Sequence, residues 1–435
     1  MSKVPLEPLR GFRDILPPES EALRRLAEIF ARIARSYGYG EVKPPTLERF
    51  QLFAVKSGEE IRRSMYVFRD KAGREVALRP EATASIARIY LRLLRGQPKP
   101  VRLYYVVNCF RYEEPQRARY REFWQAGVEL LGEPSILGDF EVIKLLLKFY
   151  ESIDMLDHIV LKIGNTRLYR RLFAKHGISE EIQDHILHLM DKGMYKEALE
   201  ALMGAEHPGL ASILEELWSN ARDDIDAAKN ILSKSGEEII ESLEELKKLV
   251  DMLKGYNSRL NLEIDLAFAR GLAYYTGTIF EVKVPGFPVS IAGGGRYDNL
   301  IELYGGEKVP GTGFAIGLDR TLAAMESSGL RPRIIYQEPV RIAVIVLDES
   351  LAPYAAKVQD ILASKDNVSA ALYTGSKLQK MLPRLAKQGY HYAAIVGKQE
   401  AREGKLVLRD LAKREQRVLT LEELRELNLT ELEFR

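Results

Sequence analysis

Residues 109–132 read Cys-Phe-Arg-Tyr-Glu-Glu-Pro-Gln-Arg-Ala-Arg-Tyr-Arg-Glu-Phe-Trp-Gln-Ala-Gly-Val-Glu-Leu-Leu-Gly, and the fold turns on how this stretch is paired. Residues 101–110 and 123–131 are both strand-like, with the centre at 115–118 reading as the loop between them. Side chains on a strand alternate between its two faces. In the second run Arg121, Phe123, Gln125, Gly127 and Glu129 share one face, and Glu122, Trp124, Ala126, Val128 and Leu130 share the other. Most of the second set can be core. The first set puts hydrogen-bonding groups on either side of a glycine that takes up no room, a face that suits a polar ligand lying flat on a sheet. Four arginines, Arg111, Arg117, Arg119 and Arg121, crowd the hairpin. Guanidinium forks match phosphate oxygens bidentately. The same arginines also fit an ordinary charged hairpin paired with Glu113, Glu114 and Glu122, and spacing alone leaves both readings open.

Outward from this hairpin the chain changes texture. A helix is expected over 21–37, and Pro44 and Pro45 impose an extended passage after it. From about 157 to 256 the pattern is mostly helical, rich in Leu, Glu, Lys and Asp, and broken once at Pro208 and Gly209. Strand-like text resumes at 260–316, followed by a helix at 319–328. Two prolines mark 331–339 as a linker. Beyond it, the runs 341–347, 352–364, 368–373, 378–388, 392–396 and 405–409 alternate strand and helix, which is the pattern of a small α/β domain.

Composition narrows the classes. A chain of 435 residues exceeds one ordinary core, and 46% hydrophobic with 29% charged residues is a globular mixture. No stretch approaches the roughly 18 apolar residues of a membrane span, and residues 1–14 carry no apolar signal core. One cysteine, Cys109, excludes an internal disulfide framework and a Cys-rich zinc site, and fits a reducing cytoplasm. His185 and His188 sit three apart in the helical stretch without a carboxylate or cysteine cluster to complete a ligand set, so no metal site is expected. The net charge of +2 conceals residues 377–417, with 11 Lys and Arg against 4 Asp and Glu. Such a stretch attracts phosphate backbones and equally describes a solvated face.

Nucleotide-binding loops are absent as motifs. There is no G-x-x-x-x-G-K-[ST], and Gly311 and Gly313 form a G-x-G in which Gly317 falls one position late for the dinucleotide pattern. Other strings stand out instead. Residues 78–83 read Leu-Arg-Pro-Glu-Ala-Thr, which alone would be a helix start with Glu81 in its first turn. Residues 269–277 read Ala-Arg-Gly-Leu-Ala-Tyr-Tyr-Thr-Gly, where adjacent tyrosines in β-rich text ordinarily pack. Residues 291–298 read Ile-Ala-Gly-Gly-Gly-Arg-Tyr-Asp, and 311–320 read Gly-Thr-Gly-Phe-Ala-Ile-Gly-Leu-Asp-Arg, glycines that let a backbone approach a flat ligand.

Together these strings resemble the histidyl-tRNA synthetases, in their archaeal form. The hairpin looks like motif 2 of the class II aminoacyl-tRNA synthetases, 311–320 like motif 3, and 39–48 like the end of motif 1. Residues 269–277 are similar to the histidine-specific R-G-L-D-Y-Y-T-G. The resemblance implies an α+β class II catalytic domain built on an antiparallel sheet with helices, a helical insertion, and a C-terminal α/β anticodon-binding domain. The implied divisions are 1–156 and 259–330 for the catalytic domain, 157–258 for the insertion, 331–340 for a linker and 341–435 for the anticodon-binding domain.

By the same resemblance, Arg111 and Arg270 stabilise the α-phosphate during catalysis. Glu81, Thr83, Gln125, Glu129, Tyr274 and Tyr275 bind histidine, while Arg111, Arg119, Phe123 and Arg320 bind ATP. The implied activity is ATP-dependent activation of L-histidine to histidyl-adenylate and transfer of histidine to tRNA(His), with ATP as substrate accompanied by Mg²⁺, by a cytoplasmic homodimer without membrane association. Ala82 and Ala118 replace glycines of the pattern, Ala273 an aspartate, Trp124 a histidine and Asp319 a glutamate. The rival is a non-charging paralogue, the regulatory subunit of ATP phosphoribosyltransferase. It would lack the anticodon domain and lose ATP-contacting arginines, whereas Arg111, Arg119, Arg270 and Arg320 are all present here. Threonyl and prolyl enzymes share the domain plan without the R-G-L-x-Y-Y-T-G string.

Overall fold

The computed structural model describes residues 4–57, 59–116, 118–269, 274–336, 338–375 and 377–428. The chain divides into two compact units, residues 1–336 and 337–435.

In the first unit the hairpin forms as read: Val101–Phe110 pairs antiparallel with Glu122–Leu131. It sits inside an eight-stranded sheet. The order is Gly40–Glu41, Val101–Phe110, Glu122–Leu131, Gly311–Gly317, Ala292–Arg296, Thr278–Lys283, Val160–Asn165 and Leu262–Ile264. The six central strands are antiparallel, and the short strand at each edge pairs parallel, so the sheet is mixed.

One face of this sheet is dry. Helix Glu19–Ser36 buries Leu23, Leu26, Phe30 and Ile33, an apolar stripe at helical spacing. Its acidic first turn (Glu19, Glu21) and Arg35 in the last turn suit the helix dipole. With Ile136–Ser152 and Leu318–Ser327 it covers the side chains of Ala126, Val128, Leu130, Phe314 and Ile316. Phe30 makes edge contacts with Tyr104, Phe149 and Phe314 at ring-centroid distances of 6.3, 5.8 and 6.1 Å. Because alternation sends these residues one way, Phe123, Gln125, Gly127 and Glu129 must face the other.

A three-stranded antiparallel sheet, Leu47–Arg49, Glu75–Leu78 and Val67–Arg69, leads into the string at 78–83. Arg79 is buried there and donates to the Asn108 carbonyl (2.7 Å), the Asn108 side chain (2.8 Å) and the Pro44 carbonyl (2.6 Å). That fixes Pro80–Thr83 against the hairpin.

The helical stretch contains Thr166–Lys175, Glu180–Asp191, Tyr195–Gly204, Pro208–Asn220, Ile225–Ile231 and Glu237–Tyr256. Asn165, Ser179 and Asp224 cap three of these helices, and Pro208 starts a fourth. Two expectations differ from the structure. Val160–Asn165, read as the beginning of the helical insertion, is a strand of the main sheet; Leu161 to Asn165 are all buried, and a short run of this kind carries little periodicity. Within the stretch read as a linker, Arg333–Tyr336 is a helical turn whose Ile335 is buried and whose carbonyl accepts from Arg25 at 3.3 Å.

The second unit is a five-stranded sheet in the order Val368–Thr374, Val340–Val346, Tyr392–Val396, Lys405–Asp410, Gln416–Thr420. The first three strands are parallel and the last two antiparallel to their neighbours. Ile342, Val344 and Val346 enter one core, while Ala343 and Ile345 enter a second on the opposite face, as expected for a strand covered on both sides.

Candidate functional site

Opposite the helix-covered face, the main sheet forms the floor of a cavity of about 150 Å³. Strand register sets its tiles. Val107, Gln125 and Gly317 lie in one row, Tyr105, Gly127, Ala315 and Gly293 in the next, and Leu103, Glu129, Gly313 and Gly295 in a third. Small residues at 127, 293, 295 and 313 clear room for large polar side chains to lie across the floor. Gly127 lies beneath the Tyr105 hydroxyl, and a Cβ at Gly313 would stand 2.9 Å from the Glu129 carboxyl carbon.

Glu129 is almost wholly buried. Its Oε1 accepts from the Thr83 hydroxyl at 2.8 Å, and its Oε2 accepts from the Tyr297 hydroxyl. Glu81 caps the turn before helix Thr83–Ile89, accepting from the Thr83 N–H at 2.6 Å and the Ala84 N–H at 3.2 Å. Thr83 therefore joins two carboxylates, one through its amide and one through its hydroxyl. Ala82, in place of the family's glycine, sits at φ −99° and needs no glycine freedom. Tyr274 and Tyr275 form the wall, rings 4.7 Å apart, with Tyr297 edge-on to Tyr274 at 5.9 Å. Burial first, then the Glu129 carboxylate, holds the Tyr297 and Tyr105 hydroxyls well above their ordinary pKa; burial and Tyr275 do so for Tyr274. All three hydroxyls therefore stay protonated as donors.

Cations lie at the hairpin's loop end of the same floor. Arg111 donates from Nε to the Pro80 carbonyl at 3.0 Å, and its guanidinium stands 5.3 Å from the Phe123 ring centre. Arg320, in the first turn of Leu318–Ser327, donates to the Ser290 carbonyl at 3.2 Å. Gln125 lies between, and its side-chain oxygen accepts from the Cys109 thiol at 3.2 Å. Burial pushes that thiol up to about 12, which keeps it protonated and donating. From Phe123 to Glu129 is six residues of strand, roughly 20 Å at a strand's rise per residue.

The structure thus gathers Glu81, Thr83, Arg111, Phe123, Gln125, Glu129, Tyr274, Tyr275 and Arg320 around one cavity. Arg119 is exposed on the hairpin loop and is not among the residues lining it. Ala118 beside it adopts φ 61°, the left-handed conformation that explains a glycine in the family's pattern. Arg270, Ala273 and Arg117 lie outside the described residues. Tyr105 and Tyr297 line the site without having been singled out from sequence. Alternation places Tyr105 opposite Gly127, and that pairing was the available signal. Among the described residues no group of His, Cys, Asp and Glu is arranged to hold a metal ion, and no helix is long and apolar enough to cross a membrane. In the second unit, all the cations of residues 377–417 except Lys405 and Arg409 are exposed.

Comparison with known proteins gives two family matches: the model described as histidyl-tRNA synthetase covers residues 11–321, and an anticodon-binding domain covers 341–431. A histidine--tRNA ligase of Sulfurisphaera tokodaii is 42% identical over 417 residues, spanning 94% of this chain and 95% of the relative. That of Metallosphaera sedula is 42% identical over 427 residues, 97% and 98% of the two chains. Among solved structures, histidyl-tRNA synthetase from Nostoc sp. PCC 7120 superposes with a TM-score of 0.77 at 25% identity, covering 98% of this chain and 100% of that one.

Proposed function

We propose a division of labour for this chain, which belongs to the histidyl-tRNA synthetase family and so activates L-histidine with ATP and esterifies it to tRNA. The histidine ammonium is held by Glu81 and Thr83, and its imidazole by Glu129, Gln125 and the tyrosines 274 and 275. Arg111 holds the α-phosphate, Phe123 and Arg320 take the adenine, with Arg320 also reaching the γ-phosphate, and Arg119 closes over the ATP tail from the hairpin loop. Arg270 supplies a second cation at the α-phosphate. Mg²⁺ arrives with the ATP phosphates and offsets their charge.

The observation that carries this reading is the order along one strand. Phe123, under Arg111, stands at one end of the floor, and Glu129, bonded to Thr83 and Tyr297, at the other. Cations for a triphosphate and acceptors for an amino acid are therefore separated in the sense a two-substrate adenylation requires. The histidine carboxylate attacks the α-phosphorus, pyrophosphate leaves, and Arg111 with Arg270 stabilises the developing charge. The terminal ribose hydroxyl of the tRNA then attacks the adenylate carbonyl and releases AMP. No side chain becomes a covalent nucleophile, and alignment of the reactants supplies about 7–11 kcal/mol of the barrier.

Beyond the cavity, residues 341–435 with their exposed cations read tRNA(His), the helical insertion touches its acceptor arm, and 331–340 joins the domains. The enzyme works as a cytoplasmic homodimer built through the region around 39–48. A non-charging regulatory paralogue is less supported, because Arg111 and Arg320 are retained at the cavity and an anticodon-binding domain follows.

Steady-state pyrophosphate exchange tests the ordering. Arg111→Ala is expected to depress kcat and weaken ATP, and Glu129→Gln to raise the KM for histidine while leaving that for ATP near wild type. Equal shifts in both substrates for both variants would refute the separation.

A further inference from the structure

Outside the cavity, one cluster of charge has no part in the roles above. Residues 10–13 lie along the ATP hairpin, with Arg10, Gly11 and Arg13 tied to it directly. The Arg121 N–H donates to the Gly11 carbonyl at 2.8 Å, and the Arg121 guanidinium donates to the Arg10 carbonyl at 3.2 Å and the Glu113 carbonyl at 3.1 Å while stacking 4.1 Å over Tyr112. Gly11 sits at φ +87°, and a Cβ there would stand 2.7 Å from the Arg121 side chain, so backbone and packing both demand glycine. Phe12 meets Tyr66 edge-on at 5.8 Å, and Tyr66 meets Tyr112 at 5.2 Å.

Arg13 completes the strap. Its guanidinium lies 4.0 Å over the Tyr120 ring, pairs with Glu19, and donates to Asp319 Oδ1 at 2.7 Å. The other Asp319 oxygen accepts from the Trp124 N–H at 2.6 Å. Trp124 lies between Phe123 and Gln125, and Asp319 immediately precedes Arg320. One buried carboxylate, its side chain 2% exposed, therefore joins the strand carrying Phe123 and Gln125 to the helix carrying Arg320, with Arg13 as a countercharge. Without that cation the carboxylate would be buried with one bond fewer and a neighbouring charge unbalanced.

We propose that Arg13 is a positioning residue of the ATP site: through Asp319 and Tyr120 it sets the spacing between Arg320, Phe123 and the hairpin loop that bears Arg119. Arg13 does not line the cavity, so its effect travels through these partners. The proposal rests on the reading that Arg320 and Phe123 hold ATP.

The test is pyrophosphate exchange on Arg13→Gln, Arg13→Lys, Asp319→Asn, the double variant Arg13→Gln/Asp319→Asn, and Arg320→Ala, each with a thermal melt. Arg13→Gln is expected to raise the KM for ATP about tenfold, the size of one lost charge-assisted hydrogen bond, with the KM for histidine nearly unchanged. Arg13→Lys restores part of the loss, since it keeps the charge but not the planar fork. The double variant is expected to be no worse than the more severe single. A raised KM for ATP in Arg320→Ala beside an unchanged one in Arg13→Gln overturns the strap alone. An unchanged KM for ATP in Arg320→Ala overturns the ATP-site reading and the strap with it. A rise in both KM values that follows the loss of Tm, and is additive in the double variant, overturns it as well. If Arg13→Gln does not fold, Asp319→Asn carries the same comparison.

Discussion

Replacing Gly313 with alanine puts one methyl group at the most crowded point of the cavity floor. The added Cβ would lie 2.9 Å from the Glu129 carboxyl carbon, and closer still to Glu129 Oε2 and the Val128 carbonyl oxygen. Ordinary contact begins at 3.4 Å, so the carboxylate oxygen must retreat by more than an ångström and the strands must part at the Val128 carbonyl. The Val128 carbonyl is held in the ladder between the two strands, so the strands must shift there while the Glu129 side chain turns away. Its bonds from Thr83 and Tyr297 then lengthen together. Weakening one such charge-assisted bond costs about 1.5–3 kcal/mol, which raises the dissociation constant for histidine by roughly ten- to a hundredfold. Overpacking also lowers stability by about 1–3 kcal/mol. Calorimetric titration of histidine separates the affinity effect, and a thermal melt reports the stability effect. A histidine affinity within threefold of wild type, in a folded Gly313→Ala protein, would refute the argument that this glycine makes room for the carboxylate.

Other consequences are simpler to measure. Arg270→Ala is expected to abolish most adenylate formation while histidine binding by calorimetry is mostly retained; equal loss of both would make Arg270 part of the pocket instead. The Cys109 thiol, pushed up to about 12 from an ordinary 9.0 by burial, is expected to ignore a disulfide reagent at pH 8 in the native protein and to react fully once unfolded. Because folding raises this pKa, its contribution to stability is complete below pH 9, where the unfolded thiol is protonated. That contribution is lost as pH rises from there through about 12, a loss that Cys109→Ala should remove from the alkaline side of a denaturation profile. Removal of residues 337–435, the second unit, is expected to spare histidine-dependent pyrophosphate exchange and strongly reduce tRNA charging. Intact charging would overturn the RNA-reading role of that unit.

Alternation made the hairpin legible: once 123–131 is a strand, Gln125 and Glu129 must face away from Val128 and Leu130, and the structure places them so. Four of the second unit's five strands were equally readable as short runs between helices, whereas Gln416–Thr420, exposed at its first three residues, carried no apolar pattern to find. What single-strand patterning cannot supply is the partner across the sheet. That Gly313 lies beside Glu129 follows only from the register of two strands nearly two hundred residues apart in sequence. Tyr297 escaped notice for the same reason, since its value comes from a hydroxyl delivered to Glu129 by a distant loop. Val160–Asn165 was hidden by the helices that follow it, its six residues being too few to establish a period. Asp319 was legible as a carboxylate keeping the charge of the family's glutamate but not as a tie between two elements, because Trp124 and Arg13 reach it from remote parts of the chain.

Exchange of labelled pyrophosphate into ATP, run with histidine and with each other standard amino acid in turn, tests the central claim most directly. Exchange is expected with histidine alone, and strongly depressed in Arg111→Ala. Exchange with another amino acid, or none with histidine although histidine binds by calorimetry, would contradict it.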